Sequence, residues 1–401
     1  MENTVEAYRE PQEPLHAQEG APTGFADGAP SIGVGIIGLS ASGGWAAGGH
    51  VPALSEVDGI ELRALAASSP DSARAAGKVF GVPAYASVEQ LVQDGSIDLV
   101  VVSVKVPQHR ELILPALKAG VPVLAEWPLA RNLPEAEELV RSAQGTRTFV
   151  GLQGQSSPTF RWLADLVLGG YVGEMLSATV VASYDEWGSP VSENMRYLLD
   201  RRLGATMLTI AVGHALDWVS MIVGEPKDLM ATTATERTRV PLAGSTGQFV
   251  PMTAEDQVAI SATLPNGAVL SAHHRGRSAT GPGFSLVIDG TEGALEVVAP
   301  MHPHITQVTV RGIRGRGRPV ELTMPDSYDK YPHLSGTAIH NLAHAYSAIR
   351  DDLLHGTTNA PDFSHGVKRH RLLDAITRSA ATGRRVTVDG HTADVAESDL
   401  R

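Results

Sequence analysis

The hydrophobic positions of residues 31–154 alternate between strand-like and helix-like spacing. Short apolar runs that suit buried parallel strands occur at Val34 to Ile37 and over 61–67 (ELRALAA), 98–104 (DLVVVSV), 121–127 (VPVLAEW) and 148–154 (TFVGLQG). Helical spacing lies between them, over 70–79, 88–94, 109–119 and 134–143. This alternation is typical of a parallel sheet with crossover helices. We therefore predict an α/β Rossmann domain, a doubly wound parallel sheet, over residues 31–150.

The pattern changes after Gly151. One helix is predicted over 158–168, and two more over 337–354 and 367–382. The segments in between have long stretches of alternating polarity, at 175–187, 258–276, 284–298 and 305–312. Residues 264–268 (LPNGA) contain the strongest hairpin signal of the chain. This predicts an α+β domain over 151–385 with a large open, mostly antiparallel sheet. The terminal helices of this domain can pack back on the Rossmann domain.

Charge and composition limit the partners and the cellular compartment that we expect for this chain. The net charge is −12, of which residues 1–30 contribute −5 (six acids, one Arg) and residues 389–401 contribute −3 (four acids, one Arg). We expect 1–30 to be a disordered acidic tail and 386–401 a second tail, and we expect no nucleic-acid partner for the folded body. The absence of cysteine and of a long apolar run predicts a cytoplasmic protein without a membrane partner.

A glycine-rich segment follows the first predicted strand. Residues 36–54 read IIGLSASGGWAAGGHVPAL, in the order of a buried strand, a tight turn and a helix. Glycine permits a positive φ and close approach of a phosphate, which the helix N-terminus favours. We predict that Gly38, Ser40, Ala41 and Gly43 bind a dinucleotide. The alternative is a doubly wound domain that binds no nucleotide.

The end of the second predicted strand bears on coenzyme choice. NAD enzymes favour an acidic residue there, which bonds the ribose 2′-hydroxyl. This chain has Ser68 and Ser69 instead, with Arg74 one turn into the next helix. These residues could bind a 2′-phosphate, so we predict NADP as the cofactor, with NAD as the alternative.

Several motifs together resemble a known family. They are 38–54 (GLSASGGWAAGGHVPAL), 103–109 (SVKVPQH), 125–130 (AEWPLA), 150–158 (VGLQGQSSP) and 204–217 (GATMLTIAVGHALD). In this order they resemble the glucose–fructose oxidoreductase/inositol dehydrogenase (Gfo/Idh/MocA) family, and within it the Gal80-like branch. The resemblance implies a Rossmann domain, a second domain that shapes a cleft for a carbohydrate-like substrate, and a homodimer or homotetramer formed through its sheet.

The chain departs from that family at two positions. Typical members carry Glu-Lys-Pro, whereas this chain has Trp127 between Glu126 and Pro128. They also carry an Asp four residues before a catalytic His, whereas Ile210 precedes His214 here. Two usual polar catalytic positions are therefore apolar.

The resemblance implies a catalytic role for His214, as a general acid/base with a pKa near neutrality. We add Lys105, at the carboxyl end of a predicted strand, and Tyr197 as candidates, with Asp185 and Glu186 as weaker ones. Asp217 either orients the ring of His214 or forms a cap or salt bridge. A buried core histidine and a surface lysine are the alternatives for His214 and Lys105.

The remaining predicted cofactor contacts are Pro107, His109, Glu126 and Trp127. Glu126 is predicted to bond a ribose hydroxyl, as its counterpart does in the family. Trp127 either walls the nicotinamide or fills the domain junction. No metal is predicted, because the groups His273-His274 and His302-x-His304 lack an acidic cluster in the sequence. The arginines of 311–319 (RGIRGRGRP) are interpreted as a solvated hairpin turn rather than an anion or RNA site.

These features predict an NAD(P)-dependent oxidoreductase that transfers a hydride between nicotinamide and a sugar, cyclitol or sugar nucleotide. Two alternatives remain. One is a Gal80-like regulator that binds the cofactor without turnover. The other is a redox-neutral epimerase, lyase or glycosidase that uses a bound cofactor.

Overall fold

A computed structural model describes residues 31–277 and 283–388. The predicted tail 1–30 and residues 389–401 lie outside the described residues. The first sheet has six parallel strands in the order β3-β2-β1-β4-β5-β6. Its strands are β1 (Ile32–Ile37), β2 (Ile60–Ala66), β3 (Ala84–Tyr85), β4 (Leu99–Val102), β5 (Val123–Glu126) and β6 (Thr148–Gly151). This order reverses next to β1, which is the doubly wound arrangement predicted from the sequence.

Helices connect these strands. They are α1 (Val51–Ser55), α2 (Pro70–Phe80), α3 (Val88–Leu91), α4 (His109–Lys118) and α5 (Leu133–Ala143). A π-helical turn, Ala46–His50, leads directly into α1. Three of these helices are capped at the N-terminus by a side chain that accepts a hydrogen bond from a backbone N–H of the first turn. The capping residues are Ser69 for α2, Ser87 for α3 and Asn132 for α5.

The second sheet has nine strands in the order β16-β15-β14-β13-β7-β12-β11-β8-β17. They are β7 (Met175–Tyr184), β8 (Asp228–Ala234), β11 (Gln257–Thr263), β12 (Val269–Gly276), β13 (Phe284–Gly290), β14 (Gly293–Ala299), β15 (Thr309–Arg314), β16 (Val320–Glu321) and β17 (Val386–Thr387). A separate pair consists of β9 (Arg239–Pro241) and β10 (Phe249–Pro251). Within the nine-stranded sheet of the described chain only the β7–β12 pair is parallel, so the prediction of a mostly antiparallel sheet is confirmed.

Two predicted hairpins are present and one predicted boundary is wrong. LPNGA turns between β11 and β12 with Gly267 at φ +89°. The arginine-rich segment forms the β15–β16 hairpin with Gly315 at φ +69°. Val386 and Thr387 were predicted to begin a tail. They pair with β8 instead, because Val386 is buried against the sheet edge.

Four further helices follow β6 along the chain. They are α6 (Pro158–Leu168), α7 (Gly213–Val223), α8 (His340–His355) and α9 (Phe363–Thr382). Short 3-10 or π turns lie at Val106–Gln108, Gln153–Ser156, Asp185–Trp187, Glu193–Leu199, Arg201–Leu203, Met207–Val212, Asp326–Tyr328 and Pro332–Leu334. Leu342 and Tyr346 of α8 join the core around β1. The last part of the chain therefore packs back on the Rossmann domain.

The nine-stranded sheet has one covered face and one open face. Alternate residues such as Leu229 and Ile260 are buried. On the other face, five neighbouring strands each contribute one exposed side chain, and these five residues lie side by side in the strand register. They are Val287, Thr179, Ser271, Ser261 and Met230, called the exposed row below. None of the helices in the described parts of the chain has the length and apolar character needed to cross a membrane.

Candidate cofactor and substrate site

The glycine-rich turn lies between β1 and the helical segment that starts at Ala46. Gly38 ends β1 at φ +93°, and a methyl group on it would lie 2.3 Å from the carbonyl oxygen of Ser103 beyond β4. Only glycine fits this close approach. Gly43 and Gly44 also have positive φ, and a Cβ on either would meet nothing within 4 Å. This open backbone at Gly43 and Gly44 leaves room for a pyrophosphate, and the contacts predicted for Gly38 and Gly43 stay predictions.

The other turn residues are at the surface. Ala41 is exposed, and Ser40 Oγ lies 2.8 Å from Ser42 Oγ. Ser40 Oγ also accepts a hydrogen bond from the Ser42 amide at 3.2 Å. Both predicted residues therefore border the open side of the turn, where a phosphate can reach their backbone.

A buried histidine that the sequence analysis did not select connects this turn to β5. His50 Nδ1 lies 2.6 Å from the Tyr346 hydroxyl, and its Nε2 lies 3.0 Å from Glu126 Oε1. The latter pair is close enough for an ion pair but lacks hydrogen-bond alignment, so Glu126 Oε1 has no hydrogen-bond partner among the described residues. A buried carboxylate oxygen without a donor suits a ribose hydroxyl. The ribose contact of Glu126 stays a prediction, with which this unpartnered oxygen is compatible.

The residues predicted to bind a 2′-phosphate lie just after β2 and in the first turns of α2, and two of them already have partners. Ser69 Oγ accepts the Ser72 amide at the start of α2. Arg74 is exposed and forms a salt bridge with Asp71. Ser68 is exposed beside them. A 2′-phosphate would compete with the Asp71 carboxylate for the guanidinium.

Pro107 and His109 lie just beyond β4. Pro107 is half-buried within a 3-10 turn. His109 is fully buried, and its ring nitrogens lie 3.0 Å from the Val104 carbonyl oxygen and 3.3 Å from that of Leu129. Burial lowers the pKa of His109. The ring of His109 lies between the segments that follow β4 and β5, and the predicted cofactor contact of this residue stays a prediction.

Trp127 fills the junction between the domains. Its indole N–H donates to the Thr209 carbonyl at 2.7 Å, and its ring packs on His370 at 4.8 Å between centroids. Gly213 lies so close that an added Cβ would be 2.7 Å from Trp127 Nε1. The structure therefore shows the alternative role of Trp127, packing at the domain junction, in place of the predicted contact with nicotinamide. Its indole N–H already bonds Thr209, and its ring is packed against His370 and Gly213.

Lys105 and Tyr197 come together from different domains. Lys105 follows β4 and is exposed, whereas the half-buried Tyr197 lies in the turn Glu193–Leu199. The ammonium nitrogen of Lys105 lies 4.7 Å from the centroid of the Tyr197 ring, a cation–π contact. Burial raises the pKa of Tyr197. The structure thus brings together two of the three residues predicted to be catalytic.

His214, the third, is in a different environment from the one predicted. It is buried near the start of α7 and stacks on His304 with 4.1 Å between ring centroids. Burial, with a smaller contribution from His302, lowers its pKa to about 3. The expected pKa near neutrality is wrong because the ring is out of water. His214 is a neutral imidazole at physiological pH.

Asp217 does not orient His214. Its carboxylate contacts His365 Nε2 at 2.6 Å and Gln155 Nε2 at 3.0 Å, with Arg369 Nε at 3.4 Å. The salt-bridge alternative is therefore the one found.

Further aromatic rings pack next to the His214–His304 pair. The sequence analysis interpreted the histidines among them as strand and turn residues. His304 packs edge-on against His302 at 5.7 Å, and His302 stacks on Tyr184 at 4.7 Å. His302 Nε2 lies 3.1 Å from Glu186 Oε1, so Glu186, one of the weaker candidates, does reach the histidines. Asp185 is exposed at the start of the same turn. The only sequence signal for this cluster was the i, i+2 spacing of His302 and His304.

Comparisons with known proteins agree with this architecture. Residues 32–153 match the model of the oxidoreductase family with an NAD-binding Rossmann fold, and residues 158–299 match the model of the Gal80p C-terminal domain. Dehydrogenase aclE of Aspergillus oryzae is 30% identical over 338 residues, which cover 80% of this chain and 88% of that protein.

Solved structures share the whole fold. A super-repressor mutant of Gal80p from Saccharomyces cerevisiae has a TM-score of 0.80 at 23% identity, over 90% of this chain and 98% of that one. Levoglucosan dehydrogenase in complex with NADH and L-sorbose has a TM-score of 0.76 at 20% identity, over 90% and 99% of the two chains. The protein therefore belongs to the Gfo/Idh/MocA oxidoreductase family and has a Gal80p-like C-terminal domain, as its sequence motifs predicted.

Proposed function

We propose that this protein is an NAD(P)-dependent oxidoreductase that acts on a carbohydrate-like alcohol or ketone. The observation that carries the proposal is the contact between Lys105 and Tyr197, 4.7 Å from ammonium to ring, where the carboxyl end of β4 faces the second domain. Ligands of doubly wound sheets bind outside the carboxyl ends of the strands. A bound nicotinamide would supply or accept the hydride. The protein must then move one proton at the substrate oxygen.

Tyr197 and Lys105 have the chemistry for that proton transfer. A tyrosine phenol is protonated at physiological pH, and burial raises the pKa of Tyr197 further, so the acid is the prevailing form. When the phenol gives its proton to the alkoxide formed at a substrate carbonyl, the adjacent ammonium stabilises the phenolate left behind. In the reverse direction the proton of the substrate hydroxyl passes to a phenolate at Tyr197, a form that the ammonium stabilises and burial disfavours. This pair takes over the role for which the family uses a lysine at the position of Trp127.

The relative named dehydrogenase aclE supports a dehydrogenase reaction, and levoglucosan dehydrogenase, whose structure contains L-sorbose, supports a carbohydrate-like substrate. We propose NADP as the coenzyme on the grounds of Ser68, Ser69 and Arg74, and the absence of an acidic residue at the end of β2. The salt bridge of Arg74 with Asp71 opposes this preference. The difference in affinity between NADP and NAD is therefore expected to be small.

Tyr197→Phe tests the proposal because it keeps the ring that Lys105 contacts and removes only the hydroxyl. The experiment uses the full chain with NADP⁺ or NAD⁺ and a panel of polyols and sugars, with reduced nicotinamide followed by absorbance. We expect kcat to fall by about 10²- to 10⁴-fold while the coenzyme Kd measured by calorimetry stays the same. Tyr328→Phe is the matched control, since that tyrosine is also half-buried but its hydroxyl donates to Asp165 on α6.

An unchanged kcat in Tyr197→Phe would contradict the assigned role of Tyr197. Absence of heat with both coenzymes would overturn the dinucleotide site itself. Product formation without net change in nicotinamide would identify the redox-neutral alternative.

A regulator without turnover is the second candidate. Ile210 and Trp127 occupy two positions that are polar in typical family enzymes, and His214 is held neutral by burial. The match to the Gal80p C-terminal domain also supports a regulator. Tight coenzyme binding with no turnover across the panel, in both the unmodified chain and Tyr197→Phe, would favour this candidate.

We also propose that the open face of the nine-stranded sheet mediates self-association. Its exposed row, from Val287 through Ser271 to Met230, crosses five strands and combines apolar with small polar side chains. Such a face can pair with itself about a two-fold axis.

A further inference from the structure

Two histidines and one aspartate converge beside the N-terminus of α8. His340 and His344 are four residues apart, which places both rings on one face of the helix. Asp329 lies between two short 3-10 turns that precede α8. Its Oδ1 is 2.9 Å from His340 Nε2 and 3.0 Å from His344 Nε2.

These three side chains are shielded from solvent. Their exposed fractions are 8% for Asp329, 11% for His340 and 8% for His344. The Tyr331 amide donates to the same oxygen of Asp329 at 2.9 Å, and the Tyr331 ring packs edge-on against His344. The Tyr331 amide and two imidazole nitrogens thus lie around one carboxylate oxygen, and the largely buried side chains hold their potential ligand atoms within a small volume.

The donor set matches that of a divalent transition metal. The three potential ligand atoms lie within 4.8 Å of one another, which one ion can span. Two imidazole nitrogens and one carboxylate oxygen are ligands that zinc and related metals accept, with a further position left for water. We propose that Asp329, His340 and His344 bind one divalent transition-metal ion, with zinc as the best-suited metal.

Lys330, the neighbouring cation, is directed away from the cluster, with Nζ 3.3 Å from Ser347 Oγ and 3.9 Å from Asp351 Oδ2. Its charge therefore does not occupy the site.

The site lies apart from the Lys105–Tyr197 contact but on the helix that reaches the cofactor region. Tyr346, two residues after His344, has its hydroxyl 2.6 Å from His50, which lies beside Glu126. An ion that joins Asp329 to α8 would fix the preceding loop to this helix. We therefore assign the metal a structural role. The sequence analysis predicted no metal because it considered only the pairs 273–274 and 302–304, and not Asp329, which lies 11 residues before His340.

The test uses the full chain, purified without a polyhistidine tag and treated with a chelator. Calorimetry with Zn²⁺ is expected to give one tight site per chain, and Co²⁺ is expected to give visible d–d absorption of an ordered site. Affinity should fall at least about tenfold in His344→Gln and in Asp329→Asn. His333→Gln is the matched control, because His333 lies on the same loop but is exposed and pairs with Glu56. Zn²⁺ should raise the thermal unfolding midpoint of the unmodified chain and of the control, but not of the two ligand variants.

Absence of cobalt d–d absorption in the unmodified chain would overturn the proposal, and this result does not depend on whether any variant folds. Zinc affinity that is equal in the unmodified chain, His344→Gln and Asp329→Asn would also overturn it. The cluster would then be a hydrogen-bonded joint without metal. Neither result bears on coenzyme binding, so the proposed activity is tested separately.

Discussion

Three buried histidines have imidazoles that water does not reach. Burial lowers the pKa of His214, His274 and His370 to about 3 in each case. His274 accepts or donates a bond with the Tyr184 hydroxyl at 3.0 Å, whereas His370 Nε2 has no hydrogen-bond partner among the described residues. The folded protein thus keeps these rings neutral where an unfolded chain, with a pKa of 6.5, would protonate them.

This difference makes stability depend on pH. Between about pH 6.5 and pH 3 the unfolded chain binds more protons at these rings, so the free energy of unfolding falls as pH decreases. Each histidine contributes a slope of about 1.4 kcal/mol per pH unit in that interval, and its contribution is complete above about pH 6.5. His370→Phe keeps the contact with Trp127 and removes one titrating group.

We therefore expect His370→Phe to reduce the slope by about 1.4 kcal/mol per pH unit, measured by urea unfolding between about pH 6 and pH 4. His355→Gln, which removes an exposed histidine at the end of α8, controls for the number of histidines. An unaltered slope in His370→Phe would show that this ring is protonated in the folded state.

At the scale of elements, the close packing of α7 on Trp127 joins the two domains. The π-helical turn Met207–Val212 precedes α7 and presents the Thr209 carbonyl to the indole N–H. The bond of 2.7 Å fixes the position of the ring, and only glycine at position 213 leaves room for it. This junction aligns the end of β5 with the second domain.

Gly213→Ala should destabilise the protein by about 1–3 kcal/mol, because the added Cβ lies 2.7 Å from a ring that cannot move without losing its hydrogen bond. Gly48→Ala is the matched control. Gly48 is also helical, and a Cβ there would meet nothing within 4 Å, so this change should be neutral or stabilising by up to about 1 kcal/mol. Chemical denaturation midpoints measure both. Equal midpoints for the two variants would mean that Trp127 gives way to the methyl group.

Sequence patterns predicted the strands and hairpins well because each depends on neighbouring residues. The apolar runs of β1 and β4 are buried on both faces, and the turn at Gly267 uses local backbone geometry. The π-helical turn Ala46–His50 was not predicted, since small residues there carry no hydrophobic period. The sequence of a segment therefore suffices to predict its structure where that structure depends on residues within the segment.

At the scale of the whole molecule, the site residues depend on segments far apart in the chain. Lys105 could be predicted because the end of a parallel strand is a local feature, but its contact with Tyr197 could not. Trp127 loses its predicted role to Thr209 and His370, which come from two later elements. His50 required Tyr346 of α8 as its partner, and only the return of that helix to the first domain provides it.

The open sheet face leads to a prediction about assembly. Ser271 is at the centre of the exposed row, with Thr179 and Ser261 as its lateral neighbours. A stable interface on this face would bury about 800 Å² from each partner, and an arginine at its centre would place two like charges against each other. We expect light scattering after size exclusion to show a dimer or tetramer, and Ser271→Arg to reduce it to a monomer. Gln93→Arg adds the same charge to an exposed position of the Rossmann domain and should leave the assembly intact. An unmodified chain that is monomeric at high concentration would contradict the role given to this face.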